Sequence, residues 1–355
     1  MKQIAHFDLD PIKYGVASAA EKRSVLVSHK TLDISALLPD KYSSLIKEGR
    51  LEVPNRTSFY SRRRDRDGGI LAEINKGRDS PLSWDEFSYE DVQTPDPVPH
   101  ALYSAKNMVD SIIERSGADS VCFYVGSGES FRRDLSTLLE YKGNRKDIIK
   151  PVLLDEVVDY LVRRYNPEVV VGYEADDAVV MESYKKDNHF IIGVDKDFYG
   201  TGCWFYNYNR HEEGIVDTRG VGRLWLDDKG GVRGEGLLFK LLQIVSEDNS
   251  DNYKANCMSD VRWGEKSAYN ALKGIESYKE AFERVVAIFK MLYPEEKEVV
   301  GWRGNTIEID YMYVFQEMWN MAHMHRWKDD YVNVESILET LGINKEEVAP
   351  YVGVY

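Results

Sequence analysis

Cysteine is scarce in this sequence. The 355 residues include 3 cysteines, Cys122, Cys203 and Cys257, which lie far apart and form no CxxC pair. Disulfide frameworks and cysteine zinc sites both need cysteines at closer and more regular spacing. We therefore exclude both kinds of site, expect no disulfide partner, and expect a reducing, cytoplasmic environment.

Long apolar runs are absent as well. No run approaches the roughly 20 apolar residues that a membrane helix needs. The N-terminus MKQIAHFDLD reaches its first acid at Asp8 without a long apolar segment, unlike a secretory signal. We expect a soluble protein that is not exported and has no membrane partner.

Positive charge is in deficit. Lysine and arginine total 46 against 60 for aspartate and glutamate, which gives a net charge of -14, while 43% of the residues are hydrophobic and suffice for a sizeable core. A chain this acidic does not attract nucleic acid through its overall charge, so such a partner must meet a local basic stripe. One candidate stripe lies between Phe131 and Lys150, where six cations face three acids.

Strands and helices alternate along much of the chain. The apolar patterns predict strands at about 4–7, 120–125, 169–171 and 190–194, and helices at about 12–21, 101–115, 152–165 and 176–186. Apolar runs such as VVV and FIIGV between helices indicate a parallel sheet that helices cover on both faces. We predict an α/β domain over residues 1–235.

Two regions depart from this alternation. Residues from about 22 to 99 include the charge-dense SFYSRRRDRDGG and the proline-rich TPDPVP, where we expect no regular structure, and we interpret the region as an insertion. We interpret its arginines as part of a flexible charged loop: Arg62, Arg63, Arg64 and Arg66. Apolar residues at three-to-four-residue spacing in GLLFKLLQIV, KSAYNALKGI, YKEAFERVVAIFKMLY and VESILETLGI predict a helical region over 236–355.

Acidic side chains follow three of the predicted strands. They are Asp8 after the first, Glu174, Asp176 and Asp177 after the strand at 169–171, and Asp195 and Asp197 after the strand at 190–194. Ligands of open α/β sheets bind outside the carboxyl ends of the strands, so we expect these groups to converge. Crowded carboxylates raise one another's pKa unless cations compensate them. An all-oxygen ligand set suits Mg²⁺ or Mn²⁺, and two such ions suit a phosphodiester substrate.

Structural roles for these acids stay open. An acid in the first turn of a helix interacts favourably with the helix dipole, and aspartate is a frequent helix cap. Three acidic groups at three strand ends favour metal binding over capping. Another candidate pair, His323 and His325, lies two residues apart on an apparent helix and would point to different faces, so we expect no metal site there.

Four motifs occur in a characteristic order along the chain: FRRDLSTLLEYKGNR at 131–145, GYEADD at 172–177, VDKDF at 194–198 and DNSDN at 248–252. In order and spacing they resemble the phage-type 5′→3′ exonuclease and flap endonuclease family, which is related to the 5′ nuclease domain of bacterial DNA polymerase I. The resemblance covers about half of the chain. It implies a PIN-like central parallel sheet flanked by helices, and a C-terminal α-helical part with a helix-three-turn-helix.

The resemblance implies a site for two metal ions, Mg²⁺ or Mn²⁺. The implied ligands are Asp8, Glu174, Asp176, Asp177, Asp195, Asp197, Asp248 and Asp251. The residues alone would assign the last two to a solvated turn, because Asn, Asp and Ser clusters usually form one.

The resemblance also implies how substrate is held. A helix entering the active site would carry Lys142 and Arg145 to the scissile phosphate as catalytic residues and Tyr141 to a base, with Arg132 as a further substrate contact. These side chains suit phosphate binding and base stacking. RWGEKSAYNAL at 262–272 resembles the helix-three-turn-helix, in which Gly264, Lys266 and Ser267 would contact the phosphates of a duplex.

The sequence departs from the family pattern before the FRRD motif. The family usually has an aspartate there, but this chain reads YVGSGESFR, with Gly126 at the turn. One contact to the first ion is therefore missing unless Asp10 or Glu129 substitutes. Glu247 also stands where a glycine often precedes the last acidic pair.

The resemblance implies a structure-specific 5′→3′ exonuclease or flap endonuclease that acts on DNA with free 5′ ends, flaps or forks in phage DNA replication. Two alternatives stay open. One is a ribonuclease acting on RNA–DNA hybrids, and the other is a non-catalytic protein that binds forked DNA.

Overall fold

The computed structural model describes residues 2–60, 69–146 and 148–353. Its strands are β1 (Ile4–Asp8), β2 (Glu21–His29), β3 (Ile46–Lys47), β4 (Arg50–Val53), β5 (Phe87–Pro95), β6 (Ser120–Ser130), β7 (Glu168–Gly172), β8 (His189–Gly193), β9 (Trp204–Asn207), β10 (Ile215–Asp217), β11 (Arg223–Leu226), β12 (Val232–Glu235), β13 (Glu247–Asp248), β14 (Tyr253–Lys254), β15 (Lys297–Val300) and β16 (Thr306–Ile309). Its helices are α1 (Asp10–Ala19), α2 (Ile34–Leu37), α3 (Arg56–Phe59), α4 (Gly69–Ile74), α5 (Val98–Ser116), α6 (Arg132–Leu135), α7 (Leu154–Tyr165), α8 (Ala175–Ser183), α9 (Gly236–Ile244), α10 (Glu265–Leu272), α11 (Tyr278–Leu292), α12 (Tyr311–Ala322) and α13 (Val334–Thr340). Within these described ranges, no helix is both long enough and apolar enough to cross a membrane.

One compact unit comprises the described residues of Met1–Ile12, Asn107–Ile149 and Leu161–Tyr355. It contains a six-stranded sheet in the order β10-β9-β8-β1-β6-β7. Strand β1 pairs in parallel with β6 and β8, β6 pairs in parallel with β7, and β8 with β9, while β10 is antiparallel to β9. The predicted α/β fold with a central, mostly parallel sheet is confirmed.

Buried apolar side chains explain why these strands are central. Phe7 in β1 and Ile191 and Ile192 in β8 are fully buried, as expected for strands of a parallel sheet that is covered on both faces. Because parallel strands run in the same direction, β1, β7 and β8 end at the same edge of the sheet. This edge is where the acidic motifs lie.

The C-terminal part of the same unit is helical, as predicted. The segments predicted as helices correspond to α9, α10, α11 and α13. Phe289 in α11 stacks on Phe315 in α12 with ring centroids 5.1 Å apart, and both side chains are fully buried. These helices share a continuous core with the sheet, although the predicted domain boundary at residue 235 stays a prediction.

A second compact unit comprises the described residues of Lys13–Lys106 and Lys150–Tyr160. It contains a four-stranded antiparallel sheet in the order β3-β4-β2-β5 with a core of its own, formed around Val27, Leu51 and Phe59. The sequence analysis interpreted this region as an insertion and did not predict its sheet. The sequence signal for β4 is the alternation of charged and apolar residues in RLEV, in which the apolar residues are buried.

Of the two segments expected to lack regular structure, the structure describes TPDPVP in full and SFYSRRRDRDGG in part. In TPDPVP, β5 ends at Pro95 and α5 begins at Val98, so the prolines mark a boundary between two regular elements. In SFYSRRRDRDGG, the four arginines Arg62, Arg63, Arg64 and Arg66 lie outside the described residues. Gly69 begins α4 with a φ of 68°, a backbone conformation that glycine adopts without strain.

Candidate metal and phosphate site

Acidic side chains mark the carboxyl ends of three strands of the central sheet. Asp8 is the last residue of β1, Glu174 is the N-cap of α8 after β7, and Asp195 is the N-cap of a 3₁₀ turn after β8. Asp8 Oδ1 accepts a hydrogen bond of 2.9 Å from the amide of Asp10. These three acids therefore lie at the edge of the sheet where ligands of such folds bind.

The first acidic group is Glu174, Asp176 and Asp177. One carboxylate oxygen of each lies within 4.8 Å of one oxygen of the others, a spacing that a single metal ion could bridge. Burial raises the pKa of Asp176, and the charges of Glu174 and Asp177 raise it further. The charges of Arg132 and Lys142 lower the pKa of Asp176 but do not offset these effects.

Asp177 is fully buried and pairs with Arg132. Arg132 donates from Nη1 to Oδ2 and from Nη2 to Oδ1 of Asp177, at 2.7 Å each, and from Nη1 to Glu174 Oε2 at 2.9 Å. Arg132 is only 2% exposed. The predicted contact of Arg132 with substrate is wrong for this conformation, because its guanidinium is buried and bound to Asp177 and Glu174.

The basic motif lies directly against the first acidic group. Lys142 forms an ion pair with Glu174 Oε1, and its Nζ lies 3.6 Å from Asp251 Oδ1. Arg145 Nη2 lies 3.2 Å from the same oxygen of Asp251. The resemblance implies a helix that enters the active site, but the motif forms only the short α6 and a 3₁₀ turn. Lys142, with a φ of 54°, precedes a 3₁₀ turn at Gly143–Arg145.

Tyr141 faces the acids rather than solvent. Its hydroxyl donates to Glu174 Oε2 at 2.7 Å and lies 3.1 Å from Asp251 Oδ2, and its side chain is buried. The ring face that the sequence analysis assigned to base stacking is covered in this conformation. Tyr141 instead orients two carboxylates.

The second acidic group is formed by Asp195, Asp197, Asp248 and Asp251. Asp195 Oδ1 accepts from the amide of Asp197 at 2.9 Å, and Gln243 in α9 donates to Asp197 Oδ1. Asp248 and Asp251 belong to a hairpin of β13 and β14, where Asp248 Oδ1 accepts from the amide of Asp251 at 3.1 Å. Lys196 Nζ lies 2.8 Å from Asp248 Oδ2.

The pKa shifts show which charges act on the acids of the two groups. Burial raises the pKa of Asp195, Asp197 and Asp251, and neighbouring carboxylates add to each shift. Asp251 feels the charges of Lys142 and Glu174 from the first group and those of Asp248 and Asp195 from the second. For Glu174, burial alone would raise the pKa, but the charges of Arg132 and Lys142 outweigh burial and lower it.

The donor set suits a hard divalent cation. Every side chain of the two groups offers carboxylate oxygens. The side chain of Asp195 is accessible to solvent, while the protein atoms packed around it raise its pKa. Oxygen ligands with room for water suit Mg²⁺ or Mn²⁺. The first acidic group, whose three carboxylates lie within reach of one ion, therefore fits an ion of this kind.

Asp10 lies beside Gly126, where the sequence lacks the expected acid. The amide of Gly126 donates to Asp10 Oδ1 at 3.0 Å. A Cβ atom at Gly126 would stand 2.8 Å from Asp10 Oδ2 and 3.5 Å from the amide of Ala175, which begins α8. Glu129, the other candidate substitute, pairs with Arg133. Of the two, Asp10 brings a carboxylate towards the first acidic group.

The segment that follows α12 supports the first acidic group, and the sequence analysis did not identify this role. The carbonyl of His323 accepts from Arg132 Nη2 at 2.9 Å, and the amide of His325 donates to Asp177 Oδ1 at 2.9 Å. Both histidines follow the end of α12 at Ala322, so the apparent helix does not include them. The contacts join residues almost 150 or more positions apart, and no local pattern announces them.

The predicted duplex-binding residues lie at the start of α10. Gly264 is the N-cap, and its φ of -166° is an extended conformation open to any residue. Lys266 is exposed, and Ser267 is partly buried. Trp263 anchors this turn by donating from Nε1 to the carbonyl of Val245 at 2.6 Å.

Solved structures that are similar to this chain include two T5 proteins. The T5 D15 protein co-crystallised with metal ions has a TM-score of 0.38 and 15% identity, with 70% of this chain and 92% of that chain covered. A mutant of the T5 5′-exonuclease has a TM-score of 0.31 and 16% identity, with 52% and 80% covered. No family model and no curated protein matches the sequence.

Proposed function

We propose that this protein is a metal-dependent 5′→3′ nuclease that hydrolyses phosphodiester bonds of DNA at free 5′ ends, flaps or forks. The observation that carries the proposal is the meeting of two acidic groups around Lys142 and Arg145 at the carboxyl edge of the sheet. Carboxylates beside phosphate-binding cations are the combination that phosphodiester hydrolysis with divalent ions requires.

The acids would hold two ions, Mg²⁺ or Mn²⁺. The candidates for the first ion are Asp8, Asp10, Glu174 and Asp176, and those for the second are Asp195, Asp197, Asp248 and Asp251. When bound, such ions neutralise charge on the phosphate and make water a better nucleophile. Asp177, whose oxygens accept from Arg132, would act by fixing the start of α8.

Lys142 and Arg145 would contact the scissile phosphate. They border a cavity of about 380 Å³ that Glu174 also lines. The ammonium of Lys142 would stabilise charge that develops on the phosphate, and the guanidinium of Arg145 would hold a phosphate oxygen in a fixed orientation. Tyr141 would be a positioning residue, since its hydroxyl holds Glu174 and Asp251.

The turn before α10 would hold the duplex part of the substrate. The amides of Lys266 and Ser267 belong to the first turn of α10, where amide groups carry partial positive charge. The exposed side chain of Lys266 would add a cation to the same surface. This assignment, like the 5′ polarity, rests on the sequence motifs.

The polarity and the substrate class can be tested together. DNA flaps, DNA duplexes and RNA–DNA hybrids of one sequence, labelled at the 5′ end, would be incubated with the protein and Mg²⁺. We expect short labelled products from flap and duplex DNA. Products from the hybrid alone would identify a ribonuclease, and binding of forked DNA without any product in Mg²⁺ or Mn²⁺ would identify a non-catalytic protein.

A further inference from the structure

A second cavity adjoins the acidic site. It has a volume of about 600 Å³ and lies between the carboxyl ends of β8 and β9 and the hairpin of β11 and β12. We call it the hairpin pocket, and the side chains that matter for its chemistry are Lys196, Arg210, Arg223, Trp225 and Arg233. Its volume lies within the range of about 300–1,000 Å³ that small-ligand sites occupy.

The hairpin that forms one wall is held in a fixed conformation. Gly222 has a φ of 73°, and a Cβ atom there would stand 1.8 Å from the carbonyl oxygen of Glu235, so only glycine permits this crossing of the two strands. At the tip, Asp227 Oδ1 accepts from the amide of Gly231 at 2.8 Å. Asp227 Oδ2 accepts from Arg233 Nε at 2.9 Å. The pocket is therefore largely preformed.

The lining suits a ligand that is both anionic and aromatic. Four cations, Lys196, Arg210, Arg223 and Arg233, line the pocket against two acids, Glu213 and Glu235. Each of these cations already pairs with a carboxylate: Lys196 with Asp248, Arg210 with Glu213, Arg223 with Glu235 and Arg233 with Asp227. A bound phosphate would therefore take the place of a carboxylate partner.

Arg223 and Trp225 give the pocket an aromatic and cationic wall. The guanidinium of Arg223 lies 5.2 Å from the centroid of the Trp225 ring. The Arg223 side chain is 75% exposed, and Trp225 is 37% exposed. A nucleotide base can stack on an indole or a guanidinium plane, while the neighbouring cations bind phosphate.

Lys196 connects the hairpin pocket to the acidic site. Its side chain lines the pocket, while its Nζ atom lies 2.8 Å from Asp248 Oδ2. Val194, another lining residue, directly precedes Asp195.

We propose that the hairpin pocket binds an unpaired nucleic-acid strand next to the cleavage site, with a base against Trp225 and phosphates at Arg223, Arg233 and Lys196. The proposal rests on the proposed nuclease function, because the acidic site supplies the adjoining phosphodiester. An acidic peptide would satisfy the charges, but it would leave the aromatic wall without a matching partner.

Binding can be measured separately from cleavage. A short fluorescent single-stranded oligothymidylate would be titrated with the full chain in EDTA, and its anisotropy would be followed over a range of salt concentrations. The variants are Arg223→Gln, Trp225→Ala and Trp225→Phe. The matched control is Arg219→Gln, because Arg219 also pairs with a carboxylate, Asp217, and lies 4.7 Å from the ring centroid of Trp204, but does not line this pocket.

We expect Trp225→Ala to weaken binding at least about fivefold, which corresponds to about 1 kcal/mol, and Trp225→Phe to restore most of it. Arg223→Gln should reduce the slope of log affinity against log salt by about 0.7, as loss of one phosphate contact does. Arg219→Gln should change neither quantity.

Equal affinity of all four variants for the oligothymidylate would overturn the proposal. The proposal would also be overturned if Trp225→Ala and Arg223→Gln weakened the binding of a glutamate-rich peptide but not that of the oligothymidylate. Cleavage of flap DNA in Mg²⁺, assayed in parallel, reports on the proposed function alone. A protein that binds oligothymidylate through Trp225 without cleaving DNA would refute the nuclease function and leave the pocket assigned.

Discussion

Lys142 and Glu174 form an ion pair between the basic motif and the N-cap of α8, 32 positions further along the chain. Glu174 also receives hydrogen bonds from Arg132 and Tyr141. One carboxylate is thus held by three side chains of the 131–145 motif. Asp177 is held in a similar way by Arg132 and the amide of His325. Asp176, between the two, accepts from the amide of Asp177, and burial raises its pKa. We therefore expect a cation to bind at Asp176.

Removing one charge from the second acidic group tests the role of these acids. Asp195→Asn keeps an oxygen that can accept from the amide of Asp197, so the 3₁₀ turn should persist. We expect cleavage of flap DNA to fall at least about 100-fold, the size of effect that loss of one electrostatic catalytic group produces, with DNA binding retained. Asp187→Asn, at an acid that is 86% exposed, is the control. Unchanged cleavage by Asp195→Asn would refute the ligand role.

The role of Tyr141 is decided by removing one oxygen atom. Tyr141→Phe deletes the donor to Glu174 and Asp251 but keeps the ring. Loss of a group that orients metal ligands typically costs about 10–100-fold in metal affinity, and we expect a fall in Mn²⁺ affinity of that size by calorimetry. If the ring instead stacks on a base, Mn²⁺ affinity will stay unchanged.

The buried pair of Arg132 and Asp177 predicts a large loss of stability. Arg132→Met leaves Asp177 buried without its cation, a change that costs about 3–5 kcal/mol of unfolding free energy. Arg133→Met should cost no more than about 1 kcal/mol, because the Arg133 side chain is 38% exposed and its ion pairs lie at the surface. Urea denaturation of both variants provides the comparison. Similar losses for the two would contradict the importance assigned to the Arg132 pair.

Burial of His6 predicts a dependence of stability on pH. Burial, with the neighbouring His189, lowers the pKa of His6 to about 4. Below pH 6.5 the unfolded chain binds a proton that the folded chain excludes, so the unfolding free energy falls as the pH drops from 6.5 to 4. His6 alone would account for up to about 3 kcal/mol of this fall. His6→Gln should flatten the pH profile between these values, whereas His211→Gln, at an exposed histidine, should leave it unchanged.

The sequence predicts the acidic edge because its signal is local. Short apolar runs identify β1, β7 and β8, and an acid directly after each run must lie at the edge where parallel strands end. Asp248 and Asp251 carry no such signal, since Asn, Asp and Ser clusters are usually turns. Only the motif resemblance singles them out, and the hairpin of β13 and β14 brings Asp251 within 3.6 Å of Lys142.

The features that the sequence analysis missed depend on distant contacts. His323 and His325 hold Arg132 and Asp177 through hydrogen bonds between residues 191 and 148 positions apart. No periodicity in the sequence connects such distant segments. The position of Asp10 beside Gly126 likewise depends on the pairing of β1 with β6. The resemblance implied a contact of Arg132 with substrate, but arginines lie buried when they are paired, and the partner of Arg132, Asp177, is 45 positions away.

The most direct test of the central claim is cleavage of a 5′-labelled flap DNA by the unmodified chain in Mg²⁺, with and without excess EDTA. If the acids at the sheet edge hold catalytic cations, the label will be released in Mg²⁺, and EDTA will abolish the release and leave the protein folded. Release that persists in EDTA, or no release in either Mg²⁺ or Mn²⁺, would contradict the account.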